Sequence, residues 1–141
     1  MDTWEPLGKH LLRVEGDVVL ARAQGTISGA EIVQLLDRML QVERQYGHVF
    51  ELVDARNGGS MDAEARRING DWHKQHRIHI ECAVFGASRL VQTLVTLMGN
   101  AFRLLGREQV HIHFAASEDE AWAWVTQRRS ELAPSRSRRP G

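Results

Sequence analysis

The sequence predicts a single α/β domain with the element order β-β-α-β-α-β-α-β-α, a five-stranded mixed, mostly parallel sheet packed by four helices. Short segments rich in β-branched residues alternate with longer segments whose apolar residues recur at helical spacing. The first two strands are separated only by a short turn around Gly16, which favours an antiparallel hairpin. Every later strand follows a helix, which favours parallel crossovers.

The predicted strands are apolar segments that end at polar or glycine-containing turns. The second half of the fourth strand, Cys82–Phe85, is apolar on both faces, as central strands of a parallel sheet are. The five predicted strands are His10–Val14, Asp17–Gln24, Val49–Val53, Ile78–Phe85 and Val110–Ala115.

The helix starts carry capping signals. Ser28 with Glu31, and Ser117 with Glu120, have the spacing of a capping box, which places the first and last helices. The second helix is predicted to begin near Ser60, with that serine as its N-cap. The domain is expected to span residues 1–133, because residues 134–141 form a basic tail without apolar side chains and are predicted to be disordered.

The third predicted helix, Arg89–Leu105, is apolar around most of its circumference. A helix of this kind is either deeply buried or pressed against a partner or ligand. The interface or pocket residues predicted on it are Leu90, Leu94, Leu97, Met98 and Phe102.

Composition narrows the function classes. Eighteen basic and eighteen acidic residues cancel, so no overall field attracts nucleic acid. A single cysteine, Cys82, excludes an internal disulfide and suits a reducing compartment. No apolar run has membrane-spanning length, and the first residues do not have the pattern of a signal peptide. We therefore expect a cytoplasmic protein without a membrane span.

Three segments together resemble the SpoIIAA-like superfamily, which includes STAS and CRAL-TRIO domains. They are Gly25–Ser28 at a strand-to-helix start, Leu52–Arg56 ending a strand, and the closing segment Phe114–Val125. The resemblance implies this fold and a noncatalytic domain. Regulated members carry a phosphorylated serine in an Asp-Ser-Ser-Gly-like motif after the third strand. Ser60 is the nearest equivalent here, but that motif is absent.

The residues after the third strand form the predicted ligand or regulatory loop. Parallel strands place their ligands at such carboxyl ends. Asp54 is expected to bond nearby turn amides, Arg56 offers a charge for an anion, and the two glycines offer free N–H groups. The loop residues are Asp54, Arg56, Gly58, Gly59 and Ser60.

Histidines supply the candidate metal ligands. Side chains alternate along a strand, so His79 and Glu81 share one face, and His111 and His113 share another. If these faces coincide, the four side chains offer a zinc-type ligand set; the alternative is a polar, partly exposed sheet face.

No sequence pattern of a nucleophile, a nucleotide-binding loop or a cofactor site is found, so no catalytic residue and no cofactor are expected. The leading hypothesis is a noncatalytic STAS/SpoIIAA-like protein-interaction domain that forms a homodimer or binds a partner protein. The alternative is a binding module for a small apolar or amphipathic ligand, with its pocket between the third helix and the sheet. The third hypothesis is a metal-dependent enzyme that uses the histidine face.

Overall fold

The computed structural model describes residues 3–104 and 110–137, which form six strands and four helices. The strands form one sheet in chain order, with the first two pairings antiparallel and the remaining three parallel. The predicted α/β fold with a mixed, mostly parallel sheet is thereby confirmed, with one additional strand. The elements are β1 (Glu5–Leu7), β2 (His10–Glu15), β3 (Val18–Ile27), α1 (Gly29–Tyr46), β4 (Val49–Met61), α2 (Ala63–Gln75), β5 (Ile80–Phe85), α3 (Arg89–Leu104), β6 (Val110–Ala115) and α4 (Glu118–Ser137).

The additional strand, β1, lies at the edge of the sheet beside β2. It is three residues long and contains Pro6, which cannot donate a backbone hydrogen bond. Proline is tolerated on an edge strand because one side of the strand needs no partner. So short a segment with a proline at its centre does not show the alternation from which strands are predicted.

Two apolar cores lie on the two faces of the sheet. Helices α1, α2 and α3 cover one face, which we call the cavity face, and α4 covers the other, which we call the α4 face. Alternation along β4 divides its side chains between them: Val49 and Val53 belong to the cavity face, whereas Phe50 and Leu52 belong to the α4 face. Both faces of β4 are therefore covered by helices.

Both predicted capping boxes lie at helix starts. At α1, the Ser28 hydroxyl accepts from the Glu31 amide, and the Glu31 carboxylate accepts from the Ser28 amide. At α4, the Ser117 hydroxyl accepts from the Glu120 amide at 3.2 Å, but the Glu120 carboxylate accepts from the amide of Ala116 at 2.8 Å.

The largest departure from the predicted elements is the length of β4. The strand was expected to end at Val53, but it stays paired with β3 as far as Met61, through two register shifts. Gly58 allows the backbones of β3 and β4 to lie close together, since a Cβ atom there would lie 2.3 Å from the carbonyl oxygen of Gly25. Helix α2 therefore begins at Ala63, and the prediction that Ser60 is its N-cap is wrong. Asp62 is the N-cap, and its carboxylate accepts from the Ala65 amide at 2.8 Å.

Other ends differ by small amounts. Strand β5 begins at Ile80 rather than Ile78, and helix α4 continues to Ser137, beyond the expected domain end at residue 133. The side chains of residues 133–137 are not described, and residues 138–141 lie outside the described part of the chain. The domain boundary at 133 and the disordered tail therefore stay predictions. The predicted last residue of the third helix, Leu105, also lies outside the described residues.

Candidate functional site

A cavity of about 100 Å³ lies between the cavity face of the sheet and helices α1–α3. Small residues leave this space, because Ala21, Ala23 and Ala55 of the sheet do not reach the helices above them. Larger apolar residues form the surrounding wall, so most of the lining is hydrocarbon. Representative wall residues are Leu36, Val53, Val84, Val91, Met98 and Ile112.

One carboxyl group lies in this apolar lining. Glu51 is at the middle of β4, beside Cys82 of β5 in the strand register. Burial raises the pKa of Glu51 above its usual value, and the hydrogen bond with the Cys82 thiol lowers it only in part. Among the described residues that line the cavity there is no lysine or arginine. Within the described lining, Glu51 is thus a carboxyl group without a cationic partner.

A second polar group at the cavity, His10, is already engaged on both ring nitrogens. The amide of Gln24 donates to Nδ1 at 2.8 Å, so the proton of a neutral ring is assigned to Nε2. That Nε2 lies 3.0 Å from Oε1 of Glu31 and donates to it. Burial raises the pKa of Glu31, but hydrogen bonds from Ser28 and His10 outweigh it and lower the pKa to about 2.

Helix α2 adds two polar side chains to the lining, Asn69 and His73. They are four residues apart and therefore lie on one side of the helix. Both are buried, and the His73 ring meets Trp72 edge-on with its centroid 5.0 Å away. Within the described chain we find no side-chain hydrogen bond for the Asn69 amide. The α2 wall therefore offers a ligand at least one amide donor and acceptor.

Helix α3 forms one wall with Val91, Val95 and Met98, which recur at helical spacing. Of the predicted helix residues, Met98 therefore faces the cavity. Leu90 and Leu97 are 68% and 59% exposed on the outer side, and Leu94 is half-buried. The side chain of Phe102 lies outside the described residues. Although α3 is strongly apolar, none of the described helices is long and apolar enough to cross a membrane.

The predicted ligand loop is divided between the two faces of the sheet. Asp54 lies on the α4 face, where its carboxylate accepts from the Arg56 amide at 3.1 Å and from Nη2 of Arg56 at 2.7 Å. Nε of Arg22 is 3.4 Å away. Burial raises the pKa of Asp54, but these arginine contacts outweigh it and hold the pKa below the usual range. Asp54 and Arg56 thus compensate each other, and neither reaches the cavity.

The remaining loop residues have three different neighbours. Gly58 packs against the backbone of Gly25, while Gly59 lines the cavity. The Ser60 hydroxyl lies 3.2 Å from that of Thr26 at the surface. Among the predicted loop residues, Gly59 is the one that contributes to the cavity.

The predicted histidine cluster forms in part, on the α4 face. His79 Nε2 lies 2.9 Å from Glu81 Oε1, and the His79 ring stacks on His111 at 5.8 Å. The expected alternative of a partly exposed face is wrong for Glu81, which α4 covers completely. Arg128 of α4 donates to the same Glu81 oxygen, and His113 stacks on Trp124 instead.

The charges on Glu81 are thereby compensated within the protein. Burial raises the pKa of Glu81, but the hydrogen bonds from His79 and Arg128 outweigh it, so the net shift is downward. Across residues 3–104 and 110–137, no group of three or more histidine, cysteine or acidic side chains is arranged to hold a metal ion. The metal hypothesis gains no support from this arrangement.

Sequence reasoning missed Glu51, although a signal was present. In the apolar run Val49–Val53, Glu51 is the one charged residue, and a strand between two others has both faces covered. A carboxyl group at that position faces helices on either side of the sheet, and Glu51 is half-buried there. The helices above it, which decide whether it meets a salt-bridge partner or a cavity, could not be placed from the local sequence.

Comparison with known proteins identifies the family. The SpoIIAA-like family matches residues 18–126, well over half of the chain. No curated protein matches the sequence. Among solved structures, the chain is similar to an uncharacterized DUF3478-family protein with a SpoIIAA-like fold from Shewanella loihica PV-4, with 14% identity, 88% of this chain and 91% of that chain covered, and a TM-score of 0.58. That structural similarity concerns the fold alone. The family match over residues 18–126 shows that the chain belongs to the SpoIIAA-like family.

Proposed function

We propose that this protein is a noncatalytic binding module that holds a small, largely apolar molecule in the cavity between the sheet and α1–α3. The cavity itself is the observation that carries the proposal. An empty apolar cavity destabilises a protein by about 24 cal/mol per Å³, so one of about 100 Å³ costs on the order of 2 kcal/mol. An occupant of matching shape recovers much of that free energy.

The chemistry of the lining supports binding rather than catalysis. Among the described lining residues, the one thiol is Cys82, and burial raises its pKa well above the usual value. A thiol with a raised pKa is a poor nucleophile, because the thiolate is the reactive form. The ring nitrogens of His10 are both engaged, so His10 is a poor general base for a bound molecule.

Cavity filling tests this proposal. In Ala23→Leu, the added side chain occupies the space beside the sheet, because Ala23 lines the cavity and is buried. 1-Butanol and 2-butanol are the probes, and the shift in Tm on adding each is the measurement. We expect both to raise the Tm of the wild type and neither to raise that of the variant. Leu97→Gln, on the outer side of α3, is the matched control and should respond like the wild type. If neither probe shifts the wild-type Tm and neither binds by calorimetry, the proposal is wrong.

The outer side of α3 favours a second candidate function, self-association. Leu90 and Leu97 are exposed there beside a shallow groove of mostly uncharged residues, in which Arg89 carries the one formal charge among the described groove residues. An apolar stripe with little charge is suited to a twofold contact with a second copy, since few like charges meet.

Light scattering of Leu90→Glu/Leu97→Glu tests this candidate. Both positions are exposed, so the substitutions should leave the fold and its circular dichroism intact. We expect the wild type to dimerise with increasing concentration and the double variant to stay monomeric. A wild type that is monomeric at millimolar concentration would exclude self-association through α3.

A further inference from the structure

We infer that the cavity selects a small apolar amine, whose ammonium group pairs with the carboxylate of Glu51 while its hydrocarbon part fills the apolar lining. The inference rests on the proposed function, since it requires that the cavity holds a ligand. It adds the chemical class of that ligand and the residue that recognises it.

Among the described residues of the surrounding elements, no cationic side chain pairs with Glu51. In the register, Val19 of β3 and Cys82 of β5 lie on either side of it, and a thiol is only a weak donor. From β2 comes His10, whose Nε2 proton is donated to Glu31. From α2 come Asn69 and His73, and the described lining residues of α1 and α3 are apolar.

An amine matches this lining better than an acid or an alcohol does. A buried carboxylate is costly unless an opposite charge and hydrogen bonds compensate it. An ammonium group supplies both, as a charge-assisted donor. A ligand carboxylate would place two like charges in one site, which is unfavourable. An alcohol supplies one ordinary hydrogen bond without charge compensation.

The volume of the cavity limits the size of the ligand. An apolar cavity of about 150 Å³ accommodates benzene, with its six carbons, in another protein, so the smaller volume of about 100 Å³ here suits a hydrocarbon of about four carbons. The probes that follow are butylamine, 1-butanol and butanoate, which share one chain and differ only in the polar group.

Binding of an amine is linked to the release of a proton. Burial raises the pKa of free Glu51, so at a pH below that pKa the carboxyl group must lose its proton when an ammonium ion binds. Affinity for the amine should therefore increase with pH through the pKa of Glu51, and decrease again as the amine loses its proton at about pH 10. His10 and His73 also line the cavity, but a variant at position 51 keeps both and separates their contribution.

Calorimetric titration of wild type and Glu51→Gln with the three probes at about pH 7 is the test. Glutamine keeps the shape of Glu51 but carries no charge. We expect the wild type to bind butylamine roughly tenfold more tightly than 1-butanol, and butanoate most weakly. In Glu51→Gln, the preference for butylamine should disappear while 1-butanol still binds. Circular dichroism and the Tm confirm that the variant is folded.

The outcomes separate the two proposals. If 1-butanol or butanoate binds the wild type at least as tightly as butylamine does, or if Glu51→Gln keeps the amine preference, the amine inference is wrong and the binding module stands. If none of the three binds the wild type, the proposed function fails and the inference fails with it.

Discussion

His48 and Asp17 form a buried pair at the start of the parallel strands, with His48 Nε2 2.8 Å from Asp17 Oδ2. Arg129 of α4 donates to the same carboxylate at 2.6 and 3.1 Å, and its guanidinium lies over the Phe50 ring. One carboxylate therefore joins the beginnings of β3 and β4 to the last helix. This network lies at the opposite end of the strands from Asp54, and it fixes α4 against the sheet.

Asp17→Asn should reduce the free energy of unfolding by about 1–3 kcal/mol at about pH 7, because hydrogen bonds to a charged group are lost. Burial raises the pKa of Asp17, but Arg129 and His48 outweigh it, and the net pKa lies below the ordinary 3.8. Because the pKa of Asp17 is lower in the folded protein than the ordinary 3.8, the stabilisation that Asp17 provides is complete above pH 3.8. It is lost as the pH falls through the lower folded pKa. Urea unfolding at about pH 7 and about pH 2 measures both effects. The exposed Asp37→Asn is the control, and an equal loss in both variants would contradict the prediction.

Glu31→Gln should weaken the start of α1 and its contact with His10. The pKa of Glu31 is lowered from 4.5 to about 2, although burial opposes the shift, because Ser28 and His10 stabilise the carboxylate. The stabilisation by the Glu31 carboxylate is therefore complete above pH 4.5 and is lost as the pH falls through about 2. We expect a loss of about 1–2 kcal/mol at neutral pH that shrinks toward acid. Thermal unfolding across this range checks it, with Glu43→Gln in the same helix as control; a loss that is constant with pH would refute the assignment.

Glu51→Leu should show the opposite pH dependence. The folded pKa of Glu51 is raised, chiefly by burial, so the wild type is most stable below the unfolded value of 4.5 and loses stability as pH rises through the folded value. Leucine carries no charge, so the variant should gain stability relative to the wild type with increasing pH, by about 1–3 kcal/mol at neutral pH. Denaturant unfolding at several pH values measures the gain. Equal destabilisation at every pH would mean that Glu51 is solvated rather than enclosed.

The sheet and most helices were predictable because each depends on neighbouring residues. The Ser28–Glu31 capping box and the apolar run Cys82–Phe85 each predict their element without knowledge of the rest of the chain. Contacts between distant residues were not predictable in this way. Asp17 and Arg129 are 112 positions apart, and Glu81 and Arg128 are 47 apart. Both pairs depend on which face of the sheet α4 covers. No local sequence pattern indicates that face.

The candidate site follows the same division. That α3 is apolar on more than one side was visible from residues such as Val91 and Leu97, but which side meets the sheet was not. The segment after Val53 was misread because its glycines are typical of a loop, whereas here Gly58 lets two strands approach closely. A glycine in a turn and a glycine in a close strand pairing have the same sequence signature.

Asp62→Ala should destabilise the protein by about 1 kcal/mol, since the variant loses the N-cap bond to the Ala65 amide. Ser60→Ala should change stability by less than about 0.5 kcal/mol, because the hydrogen bond found for the Ser60 hydroxyl within the described chain is with the Thr26 hydroxyl at the surface. The free energy of unfolding of the two variants in urea provides the measurement. The reverse order would restore Ser60 as the N-cap of α2.

Gly58→Ala and Gly70→Ala should have opposite effects. A Cβ atom at Gly58 would lie 2.3 Å from the Gly25 carbonyl oxygen, so the backbones of β3 and β4 must separate. We expect a loss of more than about 3 kcal/mol or failure to fold, because backbone atoms cannot move aside as a side chain can. At Gly70, inside α2, no atom lies within 4 Å of the added Cβ, so alanine should stabilise the helix by up to about 1 kcal/mol. Thermal unfolding of both variants decides: if Gly58→Ala is neutral, the strands do not pair closely there, and the continuation of β4 to Met61 must be abandoned.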